Sequence, residues 1–244
     1  MKFITGEPAL FLEKEKTLIV TDLHIGIEYE FYRNGVKIPS QTEKMLERIE
    51  QLLKQTSAEK LIILGDLKHK VPGSSFQEER EIPHFLRQLK RLTKIEIVPG
   101  NHDPGIENYL PEGVTLHRNE GLLLGDTYLA HGHTWPNKKL LKAKTILLGH
   151  SHSQFEFRNK LGYRWTESVW LRAKLDKEKM KEKYSTSKDI EIILIPPFNK
   201  LSGGYPVNRK ESEEKYKDFL GPVAKMITGK KKLYLLDGTF LDEF

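Results

Sequence analysis

The 244-residue chain has no cysteine. That excludes disulfides and every thiolate metal site. It also has no apolar run near the length of a membrane span, and no charged amino-terminal segment leading into a long apolar stretch. Internal repeats and low-complexity tracts are missing too. The expectation is a cytoplasmic protein with no membrane partner. Any bound metal must use His, Asp, Glu or Asn, a mixed nitrogen and oxygen donor set that suits Mn, Fe, Ni or Zn.

What is present is enough for a core. Hydrophobic residues make up 38% of the chain, and the length suits one α/β unit spanning residues 1–244. The formal charge is +6, and it is unevenly spread. Residues 153–244 hold 19 Lys and Arg against 14 Asp and Glu, so nearly all the excess lies in the last part. A polyanionic partner fits that distribution, although ordinary solvated surface accounts slightly better for charge alone.

Five short apolar runs each end in reactive side chains. Thr17–Thr21 leads into Asp22-Leu23-His24, and Leu61–Leu64 into Gly65-Asp66-Leu67-Lys68-His69. Ile95–Val98 leads into Pro99-Gly100-Asn101-His102-Asp103. Thr127–Ala130 leads into His131-Gly132-His133, and Thr145–Leu148 into Gly149-His150-Ser151-His152. Buried strands deliver chemistry at their carboxyl ends in this way. In extended chain, residues two apart share a side, so Asp22 and His24 can meet one ion. Asn101 offers a neutral oxygen ligand, His102 a proton donor or a ligand, and Asp103 a carboxylate able to orient that ring. One such strand end is an ordinary polar turn. Five in series are hard to explain by packing, because buried ionisable groups are costly unless paired or metal-bound.

The remaining elements follow from local signals. Residues 8–12 and 17–21 read as strands around a turn, and residues 27–39 as a polar, aromatic loop. Ser40 and Glu43 suggest a capping box for a helix with Met45, Leu46, Ile49, Leu52 and Leu53 as its apolar stripe. A second helix, with Phe85, Leu86, Leu89 and Leu92 buried, is predicted to start near Pro83. Hairpins are expected at 122–130, 154–175 and 233–241, and a strand at 189–195. The charged stretch 177–188 reads as an exposed helix or loop.

In order, the motifs D-x-H, GD-x-x-H, GNHD, HGH and GH-x-H resemble the calcineurin-like metallophosphoesterase superfamily. The match runs from Asp22 to His152. GD-x-x-H, with His69 last, and HGH resemble the ICC-like phosphoesterase branch, which includes DNA-repair phosphodiesterases. A looser match extends through Pro197-Phe198-Asn199, Gly203-Gly204 and Pro206-Val207-Asn208. The resemblance implies a four-layer α/β sandwich, two mixed sheets flanked by helices. It implies two divalent ions, Mn first. Asp22, His24 and His152 hold one, Asn101, His131 and His150 the other, and Asp66 bridges them. His102 protonates the leaving alkoxide or lies against the phosphate, with Asp103 as its orienter, His69 contacts the scissile phosphate, and His133 supports the ion ligands from behind or faces the substrate. The chemistry so implied is in-line hydrolysis of a phosphodiester, with a nuclease acting on DNA or RNA as the leading reading. The alternatives are a phosphatase or cyclic-nucleotide phosphodiesterase for small phosphoesters, and a non-catalytic protein-binding scaffold. The oligomeric state, a dimer included, stays open.

Overall fold

A computed structural model describes residues 1–209 and 220–243. Sequence expectations for residues 210–219 therefore lie outside the described residues. The first half of the chain carries β1 (Lys2–Phe3), β2 (Leu10–Leu12), β3 (Thr17–Val20), α1 (Ile27–Arg33), α2 (Thr42–Thr56), β4 (Lys60–Leu64), α3 (Phe76–Lys90), β5 (Lys94–Val98) and β6 (Thr115–Leu116). Its strands form one sheet in chain order, with β3, β4, β5 and β6 running parallel.

The second half carries β7 (Leu122–Leu124), β8 (Thr127–Ala130), β9 (Thr145–Leu148), β10 (Ser153–Arg158), β11 (Arg164–Leu175), α4 (Lys177–Tyr184), β12 (Glu191–Leu194), β13 (Tyr205–Pro206), β14 (Ile227–Leu235) and β15 (Phe240–Glu243). These strands form the other sheet, in which β8, β9 and β12 are parallel neighbours. The hairpin-rich distal part thus builds most of the second sheet, and both sheets are mixed.

Strand periodicity sorts the side chains into layers. Leu18, Val20, Leu61, Ile63, Ile95 and Ile97 pack under α2 and α3. The alternate residues Ile19, Ile62, Leu64 and Val98 meet Leu129, Leu147, Ile193 and Trp170 between the sheets. On the far face of the second sheet, Ile146, Leu148, Ile192 and Leu194 pack with Met180 of α4 and with Val223. The order is helices, sheet, sheet, outer helical layer. Runs such as Leu61–Leu64 are continuously apolar because both faces are covered.

Three local expectations are corrected. Residues 27–33 form α1 instead of loop. Only Ile27 and Glu28 of this helix are buried, so no apolar stripe marks it in the sequence. Ser40 is not a helix cap: Gln41 holds that position without a side-chain hydrogen bond. The capping box belongs to Ser75 and Glu78, which start α3 seven residues before Pro83, so the proline sits inside the helix. Leu92 lies beyond the end of α3 and is 48% exposed.

Among the described residues, no helix is long and apolar enough to cross a membrane. Leu147 is fully buried between the sheets. Leu147→Ala should cost about 2–5 kcal/mol in urea unfolding. Leu161→Ala, at a side chain 94% exposed, should stay within about 0.5 kcal/mol of the parent.

Candidate metal centre

The parallel strands β3, β4, β5, β8 and β9 end at one edge of the sandwich. The residues that follow them converge there. Asp22, His24, Asp66 and His152 form one cluster whose donor atoms lie within 4.8 Å of one another. Asp66, His131 and His150 form a second. Asn101 joins the second cluster, with its Oδ1 3.2 Å from His131 Nε2. Asp66 is common to both.

Extended backbone does not bring Asp22 and His24 together. Asp22, His24, Asp66, His150 and His152 all have left-handed backbone, with φ between 41° and 66°. For side chains other than glycine this costs roughly 1–3 kcal/mol each. Surrounding hydrogen bonds hold the turns. Asp22 N–H donates to the Gly65 carbonyl at 3.1 Å, and His24 N–H to the Asp66 carbonyl at 2.8 Å. Asn199 Nδ2 donates to the Leu23 carbonyl at 2.8 Å. Two glycines are needed for space. A Cβ on Gly100 would lie 2.0 Å from Asp66 Oδ1, and one on Gly65 2.2 Å from His131 Nδ1.

The rings are oriented by their outward nitrogens. His131 Nδ1–H donates to the Leu64 carbonyl at 2.9 Å, and His152 Nδ1–H to the Gly203 carbonyl at 2.8 Å. Each leaves Nε2 facing the carboxylates. His131 Nε2 is 3.3 Å from Asp66 Oδ2, and His152 Nε2 is 3.2 Å from Asp22 Oδ1. Such outer bonds fix the tautomer of metal-binding histidines.

The electrostatics follow from burial against close charge. Burial resists ionisation of Asp66, but His131, His24 and His102 outweigh it and hold its carboxyl below the usual range. Asp22 is lowered in the same way, burial being outweighed by His152 and His131. Burial disfavours the His131 cation, yet Asp66 and Asp22 push its pKa up to about 10. Burial lowers His24 to about 3, and burial with His131 beside it lowers His150 to about 4. Carboxylates held anionic among pre-aimed imidazoles are a donor set fitted to divalent cations.

The other predicted residues sit around this core. His102 backbone N–H donates to Asp66 Oδ1 at 2.9 Å, and its Nδ1 bonds the His69 carbonyl. The His69 and His102 rings stack at 5.6 Å. His69 Nδ1 is 3.3 Å from His24 Nδ1, and its Nε2 is 2.5 Å from Glu30 Oε2. The two Asp103 oxygens receive the N–H groups of Gly100 at 2.8 Å and Lys68 at 3.1 Å, so this carboxylate braces the loop and is not hydrogen-bonded to His102. Burial, with Asp66 nearby, raises Asp103 to about 6. The His133 ring lies 5.3 Å from that of His131, and its buried Nδ1 has no partner. A cavity of about 310 Å³ opens over the clusters, lined by His102, His150, Asn101 and Tyr205 among others.

Two contributors were not foreseen. Buried Glu78 accepts the N–H groups of His69 at 2.9 Å and Lys70 at 2.6 Å, fixing the loop that carries His69. Its signal was present as Ser-x-x-Glu at 75–78. Glu30, the partner of His69, gave no signal.

An α/β sandwich with two donor clusters sharing one carboxylate defines a protein able to hold a pair of metal ions. Residues 15–194 match the calcineurin-like phosphoesterase family, and the chain belongs to it. Family membership and the donor set together support metal-dependent phosphoester hydrolysis. Among solved structures, the nuclease MPE of Pseudomonas putida is similar at 20% identity, with 98% of this chain and 94% of that one covered and a TM-score of 0.58. It shows the shared fold. The phosphoesterase YfcE of E. coli matches at 15% identity over 93% of this chain and 97% of its own, with a TM-score of 0.43. Zinc-complexed Vps29 of Entamoeba histolytica matches at 14% over 93% and 97%, with a TM-score of 0.34.

Removing the shared carboxylate should disturb both ions. Asp66→Ala is expected to lower metal content from two ions per chain towards none, and His152→Ala to lower it by about one, read by elemental analysis. Acid should also weaken loading. His131 stays protonated below about pH 10 in the metal-free chain, and a cation needs its Nε2 lone pair. Loading at pH 7 should therefore release protons, measurable in weak buffer, and apparent affinity should fall as pH falls.

Proposed function

We propose that the chain is a manganese-dependent phosphodiesterase whose substrates are nucleic acid strands. The observation that carries this reading is the pair of donor clusters joined through Asp66, with His69 and His102 stacked beside them at the cavity. Carboxylate and amide oxygens mixed with imidazoles suit Mn. Asp22, His24, Asp66 and His152 would hold one ion, and Asp66, Asn101, His131 and His150 the other. Bound there, two such ions supply an activated water and neutralise charge on the phosphoryl oxygens.

The chain's own groups do the rest. Asp66 ties the two clusters together, and its Oδ1 anchors the His102 backbone. With Nδ1 committed to the His69 carbonyl, His102 keeps Nε2 for the leaving alkoxide, to which it delivers a proton. His69 meets the phosphate by releasing the exposed Glu30 carboxylate that now holds its Nε2. Asp103 keeps the turn from Gly100 in place. The basic excess beyond residue 152 and the fold shared with a nuclease support a polynucleotide substrate.

His102→Ala should retain both ions and lose roughly 10²–10⁴-fold in kcat, and full activity would remove His102 from the mechanism. A panel of bis(p-nitrophenyl) phosphate, p-nitrophenyl phosphate and single-stranded oligonucleotides, with Asp66→Ala as control, should show diesters preferred over the monoester. No turnover on any of them would overturn the reading.

A further inference from the structure

The central cavity does not end at the metal centre. His102, in its wall, also lines a second cavity of about 430 Å³ beside α1, with Tyr29, Arg33 and Lys70. His150, in the opposite wall, also lines a third of about 760 Å³ beside α4, with Trp135, Lys179, Lys183 and Lys225. Each outer space thus shares a wall residue with the central one, His102 on the α1 side and His150 on the α4 side.

Each outer arm has the same chemistry. Tyr29 is 40% exposed and Trp135 39%. Lys70 Nζ lies 5.9 Å from the Tyr29 ring centre and Lys183 Nζ 4.3 Å from that of Trp135. Each arm has one carboxylate, Glu30 or Glu182. Cations outnumber acids in both. The charged segment 177–188, which the sequence marks as an exposed helix or loop, supplies one wall. Lys179 and Lys183 sit four residues apart on one face of α4. Buried Met180, and Tyr184 O–H donating to the Pro136 carbonyl at 2.9 Å, hold the helix against the loop that carries Trp135.

A small phosphoester occupies only the central space. A strand with unpaired bases reaches all three, with phosphates on the lysines and bases on the rings. We infer that the two arms cradle a single polynucleotide strand, with Tyr29 and Trp135 stacking the bases on either side of the scissile phosphate. The inference rests on the phosphodiesterase reading above. With one arm on each side of the centre, such a strand needs no free end.

The test uses metal-loaded protein with three probes: bis(p-nitrophenyl) phosphate, linear single strands, and closed circles of the same sequence, in DNA and in RNA. Circles should be opened at a rate within a few-fold of linear strands. Tyr29→Ala and Trp135→Ala should each raise KM for strands by about 5- to 150-fold and leave the small diester unchanged, while Tyr29→Phe and Trp135→Phe keep KM near the parent value. Lys179→Ala combined with Lys183→Ala should flatten the salt dependence of strand binding. Cleavage of linear strands with circles intact, or alanine variants with unchanged KM, would overturn the cradle and leave the phosphodiesterase reading standing. Equal loss on the small diester would show that the rings only shape the site, which also overturns it. Turnover of the small diester with no strand cleaved would overturn the polynucleotide substrate itself.

Discussion

The structure depends on keeping one buried carboxylate ionised. Asp66 is nearly sealed from solvent, where an unpaired charge would be prohibitively costly. It is tolerated because His131, His24 and the His102 backbone N–H face it from three other strand ends. That requirement propagates outward. Gly100 is there because Asp66 Oδ1 fills the space a side chain would need, and Gly65 because His131 lies against it. The left-handed turns at Asp22, His24, His150 and His152 are strained so that their side chains reach the same point. Strain of this kind persists only in an over-determined setting, and the layers of Leu, Ile and Val beneath the strand ends provide that setting.

The strand ends and their ligand residue types were legible because each apolar run is covered on both faces and stops at its functional residue. Asp22, His24, Asp66, Asn101, His131, His150 and His152 were singled out by that pattern, with the resemblance assigning them to two ions, and the structure brings them to one edge of the sandwich. The way Asp22 and His24 meet was not legible. The D-x-H spacing suits extended chain, but paired left-handed turns bring them together, and φ leaves no mark in residue identity when the residue is not glycine. α1 was hidden because its packing is confined to one end, and the start of α3 because Pro83 is a stronger visible signal than Ser75.

The supporting interactions were least legible. Glu78 holds the His69 loop through backbone N–H groups, and Gly203 orients His152 through its carbonyl. Backbone partners leave no residue-type pattern across long separations. Asp103 shows the converse. Its type and place suggested an orienter for the neighbouring ring, but its two oxygens are bound to the backbone of Gly100 and Lys68.

Each donor cluster draws on both sheets. The first takes Asp22, His24 and Asp66 from the sheet of β3 and β4, and His152 from beyond β9. The second takes Asp66 and Asn101 from one sheet, and His131 and His150 from the other. A cation held by either is a rivet between layers that meet through apolar contacts and a few hydrogen bonds such as that of His131 Nδ1–H to the Leu64 carbonyl. Anything that binds the folded chain and not the unfolded one adds about 2.7 kcal/mol at a hundred times its dissociation constant. Ion occupancy and the grip between the sheets are therefore thermodynamically linked. Slippage between the layers would loosen the ions, and withdrawing the ions would loosen the layers.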